Sequence, residues 1–179
     1  MSVFKVVKYR SDSLTHLQDR LTYISRITAT RSSYIYGVAV SEFDPYRGMA
    51  LVKQSYFQDD GKTHYHYILN PEEEDFENVS IDDFCKVERR VAELIAGFYG
   101  HFQVISAIHT DGDYPHLHVI ANNIDYENGQ RFDLSLPKLT ELKCCINNIL
   151  GEFGISEIRQ RRNLFVNDEG IGMECEEDT

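Results

Sequence analysis

No apolar run in the 179 residues approaches the roughly 18 that a membrane-spanning helix needs, so a membrane span is not expected. The first ten residues hold an apolar stretch that is too short and too charged for a secretory leader. Cysteine is sparse. Cys85, Cys144, Cys145 and Cys175 show no metal-ligand spacing, and they are expected to stay reduced in a cytoplasm. There is no Gly-x-Ser-x-Gly, which excludes the nucleophile elbow of the α/β-hydrolases, and no Gly-rich loop to cradle phosphate. Internal repeats are absent. Positive charge is also scarce: 18 Lys and Arg face 29 Asp and Glu, a net charge of −11. That balance lowers the expectation of strong, non-specific nucleic-acid binding. It is unevenly spread, however. Four acids sit at residues 72–75 and six more in residues 168–179, and without these two runs the chain is close to neutral. Basic clusters remain at Arg20, Arg26 and Arg31, at Lys86, Arg89 and Arg90, and at Arg159, Arg161 and Arg162.

What the chain does have is a concentration of histidine. Three of its seven histidines fall in His109-Thr-Asp-Gly-Asp-Tyr-Pro-His-Leu-His118. Short β-rich segments flank this stretch, and its centre is turn chemistry: two Asp, a Gly and a Pro. A strand, a tight loop and a returning strand follow. Side chains alternate along a strand, so His116 and His118 share a face, and the antiparallel return brings His109 to the same place. Three convergent neutral imidazoles bind a divalent transition metal and leave positions open for substrate or water. The competing account, two solvent-facing strand histidines and a chance third, does not explain the spacing around the turn. A second alternating pair, His64 and His66, has no third ligand nearby in sequence and reads as strand surface or substrate contact.

Taken in order, residues 2–9 read as a strand and residues 13–27 as a helix capped by Ser13. Its buried stripe is Leu14, Leu17, Leu21, Ile24 and Ile27 or Thr28. Tyr23 lies roughly 200° round from Leu21, off that stripe, with Arg20 and Arg26 three residues to either side. Residues 33–40 read as a strand weakened by Gly37, 41–48 as loop and 49–57 as a possible short helix. A strand follows from His64 to Leu69, ending at Asn70-Pro71. Residues 80–98 form the clearest helix, capped by Ser80, with Phe84, Val87, Val91, Leu94, Ile95 and Phe98 inside. The histidine hairpin comes next, then a turn at 125–129. A further helix over 137–153 buries Leu139, Leu142, Ile146, Ile149, Leu150 and Phe153. The acidic residues 167–179 are expected to be disordered. The implied architecture is one α+β domain over 1–166, an antiparallel sheet carrying the histidines with helices packed on its faces.

Chemistry on phosphate also needs a nucleophile. The candidate is the phenol of Tyr23, able to attack phosphorus and form a phosphotyrosine ester, with Arg20 and Arg26 to hold phosphates and favour the phenolate. At this point the residues carry a resemblance. His109-Thr-Asp-Gly-Asp-Tyr-Pro-His-Leu-His-Val-Ile-Ala-Asn122 resembles the third motif of the relaxase/mobilisation nucleases (MobA/VirD type), within the HUH endonucleases. Leu21-Thr-Tyr-Ile-Ser-Arg26 resembles their first motif and Tyr65-His-Tyr-Ile-Leu-Asn-Pro71 their second. Asn128-Gly-Gln-Arg-Phe-Asp133 and Glu152-Phe-Gly-Ile155 resemble the segments that follow.

The resemblance implies a palm-like antiparallel sheet and a nick in single-stranded DNA at an origin of transfer. The nick depends on Mg²⁺ or Mn²⁺ (Zn²⁺ could take the same site), and the 5′ phosphate stays joined to Tyr23 until the strand is resealed after conjugation. It implies Tyr23 as nucleophile and His109, His116 and His118 as metal ligands. Asp111 would orient a histidine from the second shell, and Asn122 also matches, as a DNA-side residue. A bacterial cytoplasm, an accessory DNA-binding protein and a coupling protein are implied in turn. In relatives a Ser and an aromatic often precede the Pro of the second motif, where Leu69-Asn70 stands here. The chain is also short for a relaxase, as a minimal protein or an excised nuclease domain would be. The alternatives are a rolling-circle initiator, in which the Tyr usually follows the His motif, a metal-water phosphodiesterase and a non-catalytic DNA-binding module.

Overall fold

A computed structural model describes residues 1–8 and 13–158, together with the backbone of two short strands at 165–166 and 172–173. Seven strands make one sheet: β1 (Val3–Val7), β2 (Ile35–Val38), β3 (His64–Asn70), β4 (Val104–His109), β5 (His116–Asn122), β6 (Phe165–Val166) and β7 (Gly172–Met173). Their order in space is β2-β4-β5-β3-β1-β6-β7. The five long strands are antiparallel throughout, as the alternating segments predict. β6 adds to β1 in parallel and β7 returns along β6. Of the tail expected to be disordered, Gly172–Met173 therefore pairs as a strand, and the remainder lies outside the described residues.

Among the described residues, four α-helices cover the two faces: α1 (Leu14–Ile24), α2 (Pro45–Ser55), α3 (Ile81–Gly97) and α4 (Leu136–Glu152). The period-two alternation of the strands sorts their side chains. Phe4, Val6, Tyr67, Leu69, Val104, Ile108, Leu117 and Val119 point to one face and pack with α3 and α4 through Phe84, Val87, Val91, Leu142 and Ile146. Ile105, Ala107 and Ile120 point to the other, against Leu17, Leu21 and Ile24 of α1 and Met49 of α2. Each large apolar side chain fully buried in these layers stabilises the fold by about 1.5–3 kcal/mol before chain entropy is counted. The motif histidines, on β4 and β5, point to this α1–α2 side of the sheet.

Helix ends depart from the sequence reading in two places. α1 stops at Ile24 instead of running to 27. The Ser25 side chain turns back to the Leu21 carbonyl, and Ala29 and Thr30 both donate to the Arg26 carbonyl, closing a tight turn. Ile27, expected on the buried stripe, is 94% exposed. α2 begins four residues earlier than the apolar pattern suggests, at Pro45. Asp44 caps it by accepting from the Arg47 N–H, and a proline in the first helical turn sacrifices no hydrogen bond. Strand β2 is also shorter than residues 33–40, because Ser32–Tyr34 form a 3-10 turn. Gly37 sits in β2 for lack of room: a Cβ there would lie 2.5 Å from the Val40 carbonyl oxygen. Within the acidic run, Asp75 has a structural task, accepting from the Glu72 and Ser156 backbone N–H groups while 7% exposed.

Candidate active site

The hairpin register places the three motif histidines. In the β4–β5 ladder His109 stands opposite His116, and His118 opposite Ala107. Alternation puts all three on the α1 side of the sheet. Their ring centroids lie 4.2 Å (His109 to His118), 5.0 Å (His116 to His118) and 5.4 Å (His109 to His116) apart. One nitrogen from each ring falls within 4.8 Å of the others, the span of a common coordination sphere.

The remaining nitrogens explain which atoms face inward. His109 Nε2 lies 2.8 Å from the Ile24 carbonyl, to which it can only donate. That fixes the tautomer and leaves Nδ1 with a lone pair, buried and without a hydrogen-bond partner. His118 Nδ1 lies 2.9 Å from His66 Nε2, and His118 Nε2 is likewise buried and unpartnered. His116 Nδ1 faces the Tyr114 carbonyl at 3.4 Å, leaving Nε2 for the centre. Two orphaned imidazole nitrogens in a dry site would be costly in an inert core. They fit a divalent metal, which takes such lone pairs as ligands. Burial, and then the neighbouring imidazoles, push the His118 pKa well down. Burial also lowers that of His109, against the opposing pull of the Ile24 carbonyl. Both rings are therefore neutral at physiological pH, the form that binds metal.

Tyr23 reaches this centre from the last turn of α1. It is 38% exposed, off the buried stripe as its helical phase predicts, and its ring centroid is 5.6 Å from those of both His109 and His118. The end of α1 is tied to the hairpin at two points. One is the His109–Ile24 hydrogen bond; the other runs from the Thr110 N–H to the Ala29 carbonyl at 2.8 Å. The guanidinium of Arg26, in the turn beyond the helix, lies 4.1 Å from the centroid of the Tyr23 ring. One of its nitrogens donates to Asp111 Oδ2 at 2.6 Å. The adjacent Tyr23 phenol, and then the bond to Asp111, raise the Arg26 pKa, and Arg26 in turn holds the Asp111 carboxyl below the usual range. Beside this group opens a cleft of about 410 Å³ lined by Tyr23, Ile68, Asn70, Tyr114, His116 and His118. The end of the second motif, uncertain from sequence, thus forms one wall of the same cleft.

Other expected residues have surroundings that the sequence did not indicate. The Nε of Arg20 donates to His16 Nε2, one turn back on α1 at 3.2 Å. Asn122, matched to a DNA-side residue by the resemblance, is 1% exposed, with its amide donating to the Met49 carbonyl and to Gln103 Oε1, so it braces the far end of β5. Asp111 does not orient His109 from behind, because the Ile24 carbonyl has that position. Its Oδ1 lies 3.9 Å from His109 Nδ1, on the inward side. His64 and His66 are 1% and 3% exposed, which overturns the strand-surface reading. Sequence gave a signal for His66, the alternation with His64, but not its partner, because β3 and β5 are distant in the chain.

Three comparisons bear on this arrangement. Residues 23–155 match the family model described as relaxase, MobA/VirD2-like, nuclease domain. A search of curated proteins found no match. Among solved structures, the chain is similar to the Mn-bound MobM relaxase domain (MOBV; Mob_Pre) on a 22-nucleotide pMV158 oriT DNA with a 3′ thiophosphate. The TM-score is 0.62 at 13% identity, over 88% of this chain and 89% of that one. It is also similar to the same domain bound to a 26-nucleotide oriT DNA, with a TM-score of 0.61 at 12% identity over 90% and 91%. At such identities the likeness establishes a shared fold, while the family model spans most of the chain and includes both the tyrosine and the histidine hairpin. The chain belongs to the MobA/VirD2-like relaxases, whose nuclease domain residues 23–155 match.

Proposed function

We propose that this relaxase nicks single-stranded DNA at an origin of transfer, with Tyr23 as nucleophile. The observation that carries the reading is the placement of one exposed phenol against two imidazoles whose buried, unpartnered nitrogens face a common centre. His109, His116 and His118 would hold the divalent ion, Mg²⁺ or Mn²⁺, in keeping with the Mn-bound state of the MobM domain of the same fold. Such an ion supplies Lewis-acid charge to the oxygens of the scissile phosphate.

The remaining work falls to the chain itself. The cleft beside Tyr23 seats the phosphodiester, and the Tyr23 oxygen bonds to phosphorus as the bond from phosphorus to the 3′ oxygen breaks. The phenol loses one proton and the departing 3′ hydroxyl gains one, so the products are a 5′-phosphotyrosine ester and a free 3′ end. Reversal reseals the strand. Arg26 stands over the Tyr23 ring, held there by Asp111, and places a positive charge beside the attacking group and the phosphate it meets. With so acidic a chain, an accessory DNA-binding protein would supply much of the affinity, in a bacterial cytoplasm and alongside a coupling protein. No helix among the described residues is long and apolar enough to cross a membrane.

The test is a cleavage assay on labelled single-stranded oligonucleotides from the cognate origin, with Mn²⁺. A denaturation-resistant protein–DNA adduct is expected, lost in Tyr23→Phe and lost on chelation. Nicking that survives Tyr23→Phe with no adduct would overturn the tyrosine mechanism in favour of metal-water hydrolysis.

A further inference from the structure

The motif histidines account for the metal but leave an unassigned imidazole behind them. His66, on β3, is 3% exposed, and its Nε2 lies 2.9 Å from Nδ1 of His118. The rings are 5.1 Å apart, centre to centre, and inclined at 39°. His66 does not belong to the group of nitrogens that converge within 4.8 Å. It meets His118 on the nitrogen that faces away from them.

A bond between two imidazole nitrogens has one donor and one acceptor, and its direction decides what His118 can do. If His66 Nε2 carried the proton, His118 Nδ1 would accept. The single proton of a neutral His118 would then sit on Nε2, pointing into the centre and blocking coordination. If His118 Nδ1 donates, its Nε2 keeps a lone pair facing His109 and His116. The unpartnered His118 Nε2 can serve as a ligand beside His109 and His116 only in the second arrangement.

We infer that His66 is a positioning residue of the metal centre: it accepts the Nδ1 proton of His118 and so fixes His118 as an Nε2 ligand. The inference rests on the metal reading above. It extends the device already seen at His109, where the Ile24 carbonyl accepts from Nε2 and fixes Nδ1 as the ligand atom. The two outer acceptors come from different places, a neighbouring strand for His118 and the end of the nucleophile-bearing helix for His109. An acceptor behind a metal-bound histidine orients the ring and raises its basicity, and its loss typically weakens metal binding 10–100-fold.

The test is Mn²⁺ titration of the full chain by calorimetry, with thermal melts of the metal-free proteins alongside. His66→Leu removes the acceptor and is expected to raise the Mn²⁺ Kd by about 10–100-fold. His66→Gln places its terminal amide where Nε2 stood, can present oxygen to His118, and is expected to stay within about threefold of wild type. Should His66→Leu not fold, His66→Asn, whose amide is too short to reach His118, takes its place and is expected to bind as weakly. Wild-type affinity in His66→Leu, or in His66→Asn where that replaces it, overturns the inference. So does a His66→Gln protein that melts like wild type yet binds as weakly as His66→Leu. A wild-type chain that takes up no Mn²⁺ overturns the metal reading itself, and this inference with it, and is told apart by the wild-type titration alone.

Discussion

Arg26 shows how little displacement separates a positioned cation from a merely nearby one. Arg20 and Arg26 flank Tyr23 symmetrically in sequence, and Arg26 is set over the ring because the helix ends between Tyr23 and Arg26 and Asp111 anchors the guanidinium from the hairpin. Arg26→Ala is therefore expected to slow adduct formation by about 100-fold, the scale of losing one preorganised charge at a reacting phosphate. It should leave Mn²⁺ affinity undiminished; single-turnover adduct kinetics with a parallel Mn²⁺ titration check both. Glu88 is a different single-residue case. It is 2% exposed on α3, accepts from the Ser106 hydroxyl, and burial pushes its pKa up to about 8. Between its unfolded value near 4.5 and about 8, the folded chain holds a proton that the unfolded chain has released. Stability from this group is thus full at low pH and falls as pH rises through that window. Glu88→Gln is expected to match wild type near pH 4 and to be more stable by about 2–4 kcal/mol near pH 8, read from denaturant unfolding at both values. A gain that did not grow with pH would contradict the buried-carboxyl account.

At the scale of elements, legibility followed the strength of local signals. α3 and α4 stand within a residue or two of their sequence assignments, because each has a long amphipathic stripe with a serine before it and glycines near its end. α2 began earlier than its apolar pattern because Asp44-Pro45 is a start signal in capping chemistry, not in hydrophobicity. The histidine hairpin was legible from turn residues and alternation alone, whereas the His66–His118 pair depends on the register of β3 against β5, set by the whole sheet. α1 was misread at its C-terminal end, where a serine and a tight turn override an apolar residue that would have continued the stripe. Its N-terminal end is clearer: Ser13 accepts from the His16 N–H. Ser13→Ala is expected to destabilise the chain by about 1 kcal/mol, a fall of about 2–4 °C in thermal midpoint for a domain of this size. Adduct formation should persist, since the end of α1 that bears Tyr23 is held by the hairpin through Ile24 and Ala29. Loss of the adduct at temperatures well below the melt would mean that the cap, rather than the hairpin, places the tyrosine.

At the scale of the molecule, the metal and the charge distribution meet in one observable. A chain of net charge −11 attracts divalent cations to its surface in general, and its acidic run at 72–75 is an obvious place for weak association. The histidine centre differs because its neutral, desolvated nitrogens gain nothing from an ion except by direct coordination. Binding to the folded state alone stabilises it by about 2.7 kcal/mol at a free concentration one hundred times Kd. For a chain of this length that raises the thermal midpoint by roughly 5–10 °C. Mn²⁺ is expected to produce that shift in wild type, chelation to reverse it, and His118→Ala to abolish it, each shift being read against the same protein's metal-free midpoint. An equal shift in His118→Ala would place the bound ion on the carboxylates instead, and raising the salt concentration would then erode it, since exposed charge pairs are screened over about 10 Å at 0.1 M. A shift that survives added salt and disappears with His118 identifies the buried imidazoles as the site whose binding energy the whole fold feels.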